Sequence, residues 1–186
     1  MQAVLETRAA EDRRPVMLMA EDEGRFGLMH TIRRCWAPKP LRPVVARQMV
    51  RESLYVFAAV CPQLGYVSAL LVPYANSQMM TLFLAHVAAE LADYFIVMLV
   101  DRAGWHLSHQ VTLPDNIRFL PQPPGSPELN PAEHLWEDLR ENETANHHFD
   151  TLEHLETALC EGLNRLAADP ERLRSMTNFP YMQVSL

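Results

Sequence analysis

Hydrophobic and polar positions along this chain fall into blocks that predict five strands. Short apolar runs, or runs rich in β-branched and aromatic residues, end in turn residues. These runs cover residues 16–20, 53–60, 66–72, 95–100 and 117–120. The second and third are separated by the turn-like sequence Cys61-Pro62-Gln63-Leu64-Gly65, which predicts an antiparallel hairpin. The fourth is apolar without alternation, as is typical of a strand covered on both faces.

Three helices are predicted where apolar residues recur at spacings of three and four. The first spans residues 77 to about 93 with Ser77 as N-cap, the second begins near Pro131, and the third spans residues 151 to about 167. This order of elements favours an α/β domain with a mixed sheet flanked by helices. Residues 1–15 are polar and charged without periodicity. We interpret them as a linker or the remnant of an upstream region, and residues 16–186 as one domain.

The length of the chain, its apolar runs and the spacing of its cysteines limit the class of protein to which it can belong. A chain of 186 residues has the length of one domain. Its apolar runs are far shorter than the roughly 20 residues of a membrane span, and its N-terminus lacks a signal-peptide pattern. The three cysteines have no metal-ligand spacing. We therefore expect a cytoplasmic protein.

Two acidic residues follow predicted strands, Asp22 after residues 16–20 and Asp101 after residues 95–100. In an open α/β sheet the ligand crevice lies at such strand ends. If the two strands are neighbours, carboxylates about 4 Å apart repel each other by about 4 kcal/mol at an effective dielectric of about 20. A divalent cation or a shifted pKa would relieve that repulsion. The alternative is that each acid ends its strand or caps a turn and is solvated.

Glu133 is the third candidate, and two interpretations fit it. Asn130 as N-cap, Pro131 at the first helical position and Glu133 at the third would form a capping box. In that case the Glu133 carboxylate folds back to the Asn130 backbone N–H. A metal-binding Glu133 would instead face the crevice.

Charge is distributed unevenly along the chain. The net charge of −7 argues against a general nucleic-acid binder. Residues 31–51, here called the basic segment, nevertheless carry six cations and no acid, which indicates a local anion contact. The alternative is a solvated hairpin edge that its charge keeps soluble. The six cations are Arg33, Arg34, Lys39, Arg42, Arg47 and Arg51.

Together these motifs resemble the catalytic domain of mariner-related bacterial insertion-sequence transposases. The resemblance rests on Asp22-Glu23, on Arg33-Arg34-Cys35-Trp36-Ala37-Pro38, on Asp101-Arg102-Ala103-Gly104-Trp105-His106, and on GSPELNPAEHLW at residues 125–136. It implies a ribonuclease-H-like fold, with antiparallel first strands followed by parallel ones. It also implies a catalytic DDE triad of Asp22, Asp101 and Glu133 that holds two Mg²⁺ ions, with Mn²⁺ as a substitute. The implied reaction is DNA cleavage at transposon ends followed by strand transfer. A hydrolytic nuclease on the same fold, or a truncated and inactive remnant, is the alternative.

The resemblance extends to DNA contacts, with one departure. His106 matches the family's histidine after the second Asp, which contacts substrate or orients the site; the alternative is an ordinary, partly buried histidine. Arg102 replaces the family's usual Asn, so it either weakens metal binding or contacts a DNA phosphate. The tentative DNA-binding residues are Arg33, Arg34, Lys39, Arg42, Arg47, Arg102 and His106.

The expected partner is DNA, both transposon ends and target. Transposases of this family recognise their ends through upstream helix-turn-helix modules, which the residues before the first predicted strand are too few to form. We therefore expect a separate DNA-recognition polypeptide or a truncated copy. The resemblance also implies a homodimer on DNA in the bacterial cytoplasm, associated with the nucleoid and not with a membrane.

Overall fold

The strands form one mixed sheet. A computed structural model describes residues 2–29, 32–45, 49–104, 106 and 108–182. Within these residues five strands pair in the order β3-β2-β1-β4-β5. β1 pairs antiparallel with β2 and β2 with β3, whereas β1 pairs parallel with β4 and β4 with β5. The predicted mixed sheet is therefore confirmed. The strands are β1 (Val16–Gly27), β2 (Ser53–Cys61), β3 (Tyr66–Val72), β4 (Phe95–Val100) and β5 (Ile117–Pro121).

The main helices flank this sheet, and their caps differ in part from the predictions. The N-cap of the second helix is Asn76, whose side chain accepts a hydrogen bond from the Met79 N–H, so the prediction of Ser77 is wrong by one residue. Thr151 caps the fourth helix by accepting from the His154 N–H. The last helix was not predicted, although Asp169 caps it ahead of a proline. The helices are α1 (Gln2–Leu5), α2 (Ser77–Glu90), α3 (Glu133–Leu139), α4 (Leu152–Ala167) and α5 (Pro170–Thr177).

Each face of the sheet has its own hydrophobic core. On one face Leu18 and Ala20 of β1 pack with Trp136 of α3 and with the leucines of α4. On the other face Met17 and Met19 pack with the apolar side of α2. Because successive side chains of a strand point to opposite faces, β1 contributes to both cores. β4, its parallel neighbour, also contributes side chains to both cores, which explains why it is apolar at every position.

β1 extends well beyond its predicted end at residue 20. The acidic run Glu21-Asp22-Glu23 does not end the strand but continues it to Gly27. Pairing with β2 sustains it, from Ala20 opposite Val60 to Gly27 opposite Ser53. As a consequence, Asp22 faces one side of the sheet while Glu21 and Glu23 face the other.

Residues 2–15 are attached to the domain. Val4 and Leu5 pack against the core that contains Leu18. The Arg8 guanidinium lies 5.2 Å from the centre of the Phe95 ring. The interpretation of residues 1–15 as a linker or the remnant of an upstream region stays a prediction, as does the domain boundary at residue 16.

Among the described residues, no helix combines the length and the apolar composition that a membrane crossing requires.

Candidate active site

Parallel pairing of β1 with β4 brings Asp22 and Asp101 to the same edge of the sheet. The register ends with Ala20 opposite Leu99, and each aspartate lies two residues beyond that pair. Both side chains line one cavity of about 330 Å³. The sequence-based expectation that these carboxylates meet depended on the two strands being neighbours, and they are.

Glu133 reaches the same cavity from the start of α3. The capping box is not formed as predicted, because the Asn130 N–H donates to the Pro127 carbonyl instead, over 2.8 Å. α3 begins at Glu133 with Ala132 as N-cap, so the helix start is two residues later than the capping prediction required. Of the two interpretations, the geometry favours a carboxylate facing the crevice.

Asn130 connects the start of α3 to β1. Its side chain is buried, donates from Nδ2 to the Glu21 carbonyl over 2.8 Å, and accepts at Oδ1 from the Ala132 N–H over 3.1 Å. Buried polar groups of this kind are costly to leave unpaired. These two bonds therefore fix the first residues of α3 against the strand that carries Asp22.

Trp136 orients Asp22 from one turn further along α3. Its indole Nε1 donates to Asp22 Oδ2 over 2.7 Å, and its ring packs edge-on against Phe26 at 6.1 Å. Gly24 makes room for that ring, since a Cβ at this position would lie 2.8 Å from two Trp136 ring carbons. The indole thus anchors one carboxylate oxygen by a charge-assisted hydrogen bond.

The pKa of Asp22 is raised from 3.8 to about 7. Burial is the largest cause, the indole N–H opposes it, and the negative charges of Glu133 and Glu23 add to it. Such a carboxyl group is costly to ionise in the folded chain unless a cation lies beside it.

A second acidic cluster lies on the α2 side of the sheet. His106 Nε2 lies 2.8 Å from Glu23 Oε1 and 3.4 Å from Glu21 Oε2, and its Nδ1 lies 2.7 Å from Asp101 Oδ1. Burial alone lowers the pKa of His106, but the hydrogen bond to Glu23 and the charges of Glu23 and Asp101 outweigh it and raise that pKa. Burial, together with the charges of Glu23, Asp22 and Asp101, raises the pKa of Glu21 well above its usual range.

The predicted DNA-binding residues are divided among several places. Arg102 lines the cavity beside Asp101, and its Nε donates to the Gln122 carbonyl over 2.9 Å. The side chain of His106 is fully buried, which does not fit a DNA contact; the geometry favours the other role that the resemblance allowed, orientation of the site.

The described cations of the basic segment are exposed and lie outside the cavity lining. Arg33 faces a different pocket, with its Nε 4.0 Å from Glu141 Oε2. Arg34, Lys39 and Arg42 are exposed. Arg47 lies outside the described residues. The assignment of these cations to DNA stays a prediction.

The donor set around the cavity fits a hard divalent cation. Three carboxylates from three separate elements surround it, and carboxylate oxygens are the ligands that Mg²⁺ prefers. Asp22 is half-buried and its pKa is raised to about 7, so it is a group whose charge a cation would stabilise. Asp22, Asp101 and Glu133 are therefore the residues that could hold such an ion.

Three residues that support this site were not predicted from the sequence: Glu23, Asn130 and Trp136. Glu23 and Trp136 stood in the motifs quoted for the resemblance but received no role, and Asn130 was considered only as a cap. Continuing the alternation of β1 past residue 20 would have placed Glu23 on the opposite face of the sheet from Asp22. No local signal could have matched Trp136 to Asp22, because 114 positions separate them.

The sequence matches a protein-family model and a curated relative. A family model described as DDE superfamily endonuclease matches residues 17–156. A protein of Sinorhizobium fredii (strain NBRC 101917 / NGR234), named y4pE/y4sA and described as uncharacterized, is 36% identical over 123 residues. That match covers 66% of this chain and 91% of the relative.

Solved structures share the fold, among them two Mos1 complexes. The Mos1 transposase paired-end complex with left transposon end superposes with a TM-score of 0.58 at 16% identity, over 86% of this chain and 55% of that one. The Mos1 mariner paired-end complex with Mg gives a TM-score of 0.59 at 15% identity and the same coverage. The chain thus spans 55% of the length of these transposase chains. Its fold is ribonuclease-H-like, as expected.

Proposed function

Because the chain belongs to the DDE superfamily endonuclease family, we propose that it is a transposase catalytic domain that cleaves DNA at transposon ends and transfers the strands to target DNA. The observation that carries this proposal is the cavity where Asp22, Asp101 and Glu133 meet from β1, the end of β4 and the start of α3. These are the same three acidic residues that the resemblance in sequence implies as the catalytic triad.

Asp22, Asp101 and Glu133 would hold two Mg²⁺ ions, with Mn²⁺ as a substitute. When bound, such ions activate a water or a DNA 3′-hydroxyl and stabilise the leaving oxygen of an in-line displacement. The chain's own residues set the geometry: Trp136 anchors Asp22, and Asn130 fixes the start of α3 that presents Glu133. Arg102, at the cavity wall, would contact a DNA phosphate.

DNA is the proposed partner, and the basic segment would follow its backbone. Arg34, Lys39 and Arg42 are exposed cations on a stretch without regular structure, which suits contacts to phosphates. Arg33 and Arg47 belong to the same proposal.

We further propose a homodimer on DNA that would hold two transposon ends; one solved structure with this fold is a paired-end complex of the Mos1 transposase. The support in this chain is a row of large exposed apolar side chains among the cations of the basic segment. Trp36 is fully exposed and Val44 is 92% exposed, which suits burial against a second copy. End recognition would come from a separate helix-turn-helix polypeptide, and the site of action would be the nucleoid in the bacterial cytoplasm.

The experiment that tests the function has two stages. Calorimetric titration of Mn²⁺ into the chain should show binding that Asp101→Asn abolishes, because Mn²⁺ favours the same oxygen ligands as Mg²⁺. A DNA substrate with a pre-cut transposon-type end and a free 3′-hydroxyl should then give strand-transfer products with added target DNA.

Each other outcome selects another function. Hydrolysis without strand transfer would indicate a nuclease on the same fold. No Mn²⁺ binding by either protein would indicate an inactive remnant and refute the proposal.

A further inference from the structure

We propose that Glu23 and His106 form a positioning pair that fixes the carboxylate of Asp101 for cation binding. This inference rests on the proposed function, because it assigns a supporting role to residues behind the metal ligands. Neither residue lines the cavity. Both would act on the reaction through Asp101.

The His106 ring lies between two carboxylates. Its Nδ1 is 2.7 Å from Asp101 Oδ1 and its Nε2 is 2.8 Å from Glu23 Oε1, both within hydrogen-bond distance. The side chains of His106 and Glu23 are 0% and 6% exposed. A ring held at both nitrogens in a packed interior has a defined orientation, and so does the Asp101 oxygen that it contacts.

Asp101 needs such support because it lies beyond the last residue of β4, and its side chain is 48% exposed. Its Oδ1 accepts from the Ala103 N–H over 2.7 Å and lies 2.7 Å from His106 Nδ1, which also contacts the Asp101 backbone carbonyl over 3.3 Å. The loop closes on itself, since the His106 N–H donates to the Ala103 carbonyl over 3.0 Å. Both contacts to one oxygen fix the rotation of the carboxyl group, and thereby the direction that Oδ2 faces.

Glu23, rather than its neighbour Glu21, is the group that holds the ring. Glu21 Oε2 lies 3.4 Å from the same Nε2, and neither of its buried carboxylate oxygens has a hydrogen-bond partner among the described residues. The two glutamates share a strand and a face, but Glu23 is the closer by 0.6 Å. Glu21 therefore provides a matched control of the same chemical type.

Residues that orient metal ligands by hydrogen bonding have a known scale of effect. Their loss typically lowers metal affinity or activity about 10- to 100-fold. Loss of a residue that served folding alone would lower the stability of the protein. It would leave the affinity of the folded protein for the cation unchanged. Cation affinity therefore separates the two roles.

The test is Mn²⁺ titration of the full chain by calorimetry, with folding checked by circular dichroism. Glu23→Leu keeps an apolar side chain in the buried space but accepts no hydrogen bond, and it should weaken Mn²⁺ binding about 10- to 100-fold. Glu23→Gln retains an oxygen that accepts from His106 Nε2, and it should stay within about threefold of the parent. Glu21→Gln should also stay within about threefold.

Activity gives a second readout. In Glu23→Leu the Mg²⁺ concentration for half-maximal strand transfer should rise by the same factor, with the rate at saturating Mg²⁺ largely retained.

Three results would overturn the inference. The first is parent-like Mn²⁺ affinity in folded Glu23→Leu, which, with Asp101→Asn still abolishing binding, leaves the proposed function intact. The second is an equal loss in Glu21→Gln, which would indicate that Glu21, Glu23 and His106 hold a cation of their own. The third applies if Glu23→Leu does not fold. It is a loss of Mn²⁺ affinity in folded Glu23→Gln as large as the loss expected for Glu23→Leu. Retained binding in Asp101→Asn would refute the proposed function itself.

Discussion

Asp22→Asn should stabilise the metal-free protein, and the gain should grow with pH. The folded-state pKa of Asp22 is about 7, against an ordinary value of 3.8. Below pH 3.8 the carboxyl group is protonated in both the folded and the unfolded chain and costs nothing. Between those two values the unfolded chain ionises first, so stability falls with rising pH by about 1.4 kcal/mol per unit. Above pH 7 the loss is complete.

The magnitude follows from the difference of about three pKa units, which corresponds to about 4 kcal/mol. Asparagine is neutral at every pH, and its Oδ1 can still accept from Trp136 Nε1. The free energy of unfolding of Asp22→Asn should therefore match that of the parent near pH 4. It should exceed the parent value by up to about 4 kcal/mol at pH 8.

The assay is urea unfolding in EDTA at several pH values, with the midpoint and slope fitted at each. Asp93→Asn, which changes an exposed aspartate, is the control and should shift stability by less than about 0.5 kcal/mol at each pH. Parallel curves for the parent and Asp22→Asn across pH 4–8 would refute the reasoning. Saturating Mn²⁺ should reverse the order at pH 8, because only the aspartate gains from the bound cation.

Two further predictions concern the support of the site and the DNA contact. Gly24→Ala should lower the free energy of unfolding by about 1–3 kcal/mol in urea, because its Cβ would lie 2.8 Å from the Trp136 ring. Gly104→Ala, whose Cβ meets nothing within 4 Å, should change it by less than about 0.5 kcal/mol, and equal effects would contradict the packing argument. Arg34→Ala with Arg42→Ala should weaken DNA binding and reduce the slope of log K against log salt by about 2 in fluorescence anisotropy. An unchanged slope would remove these arginines from the interface.

The sequence alone predicted the strands and turns whose own residues show a clear apolar or turn pattern. Residues 95–100 are apolar at every position, and the structure buries that strand between two parallel neighbours. Turn residues 61–65 predicted the hairpin between the second and third strands, which the pairing confirms. Such local patterns suffice because burial, strand propensity and turn chemistry all act on neighbouring residues.

Predictions failed where a distant part of the chain decides the local structure. The acidic run at residues 21–23 has the composition of a turn, yet pairing with β2 keeps it extended. The motif around Asn130 has the composition of a capping box, yet Asn130 bonds to the Glu21 carbonyl of β1. In both cases a contact with a residue far along the chain outweighs the local preference.

The sequence by itself determined which elements form and which acidic residues are candidates for the site. The tertiary structure decided their orientation. Trp136 anchors Asp22 across 114 positions, and Glu23 reaches His106 across 83. The physical reason is that a carboxylate becomes a selective ligand only when buried donors from other elements fix its direction and its charge. Those donors are brought together by the sheet order and by the packing of α3.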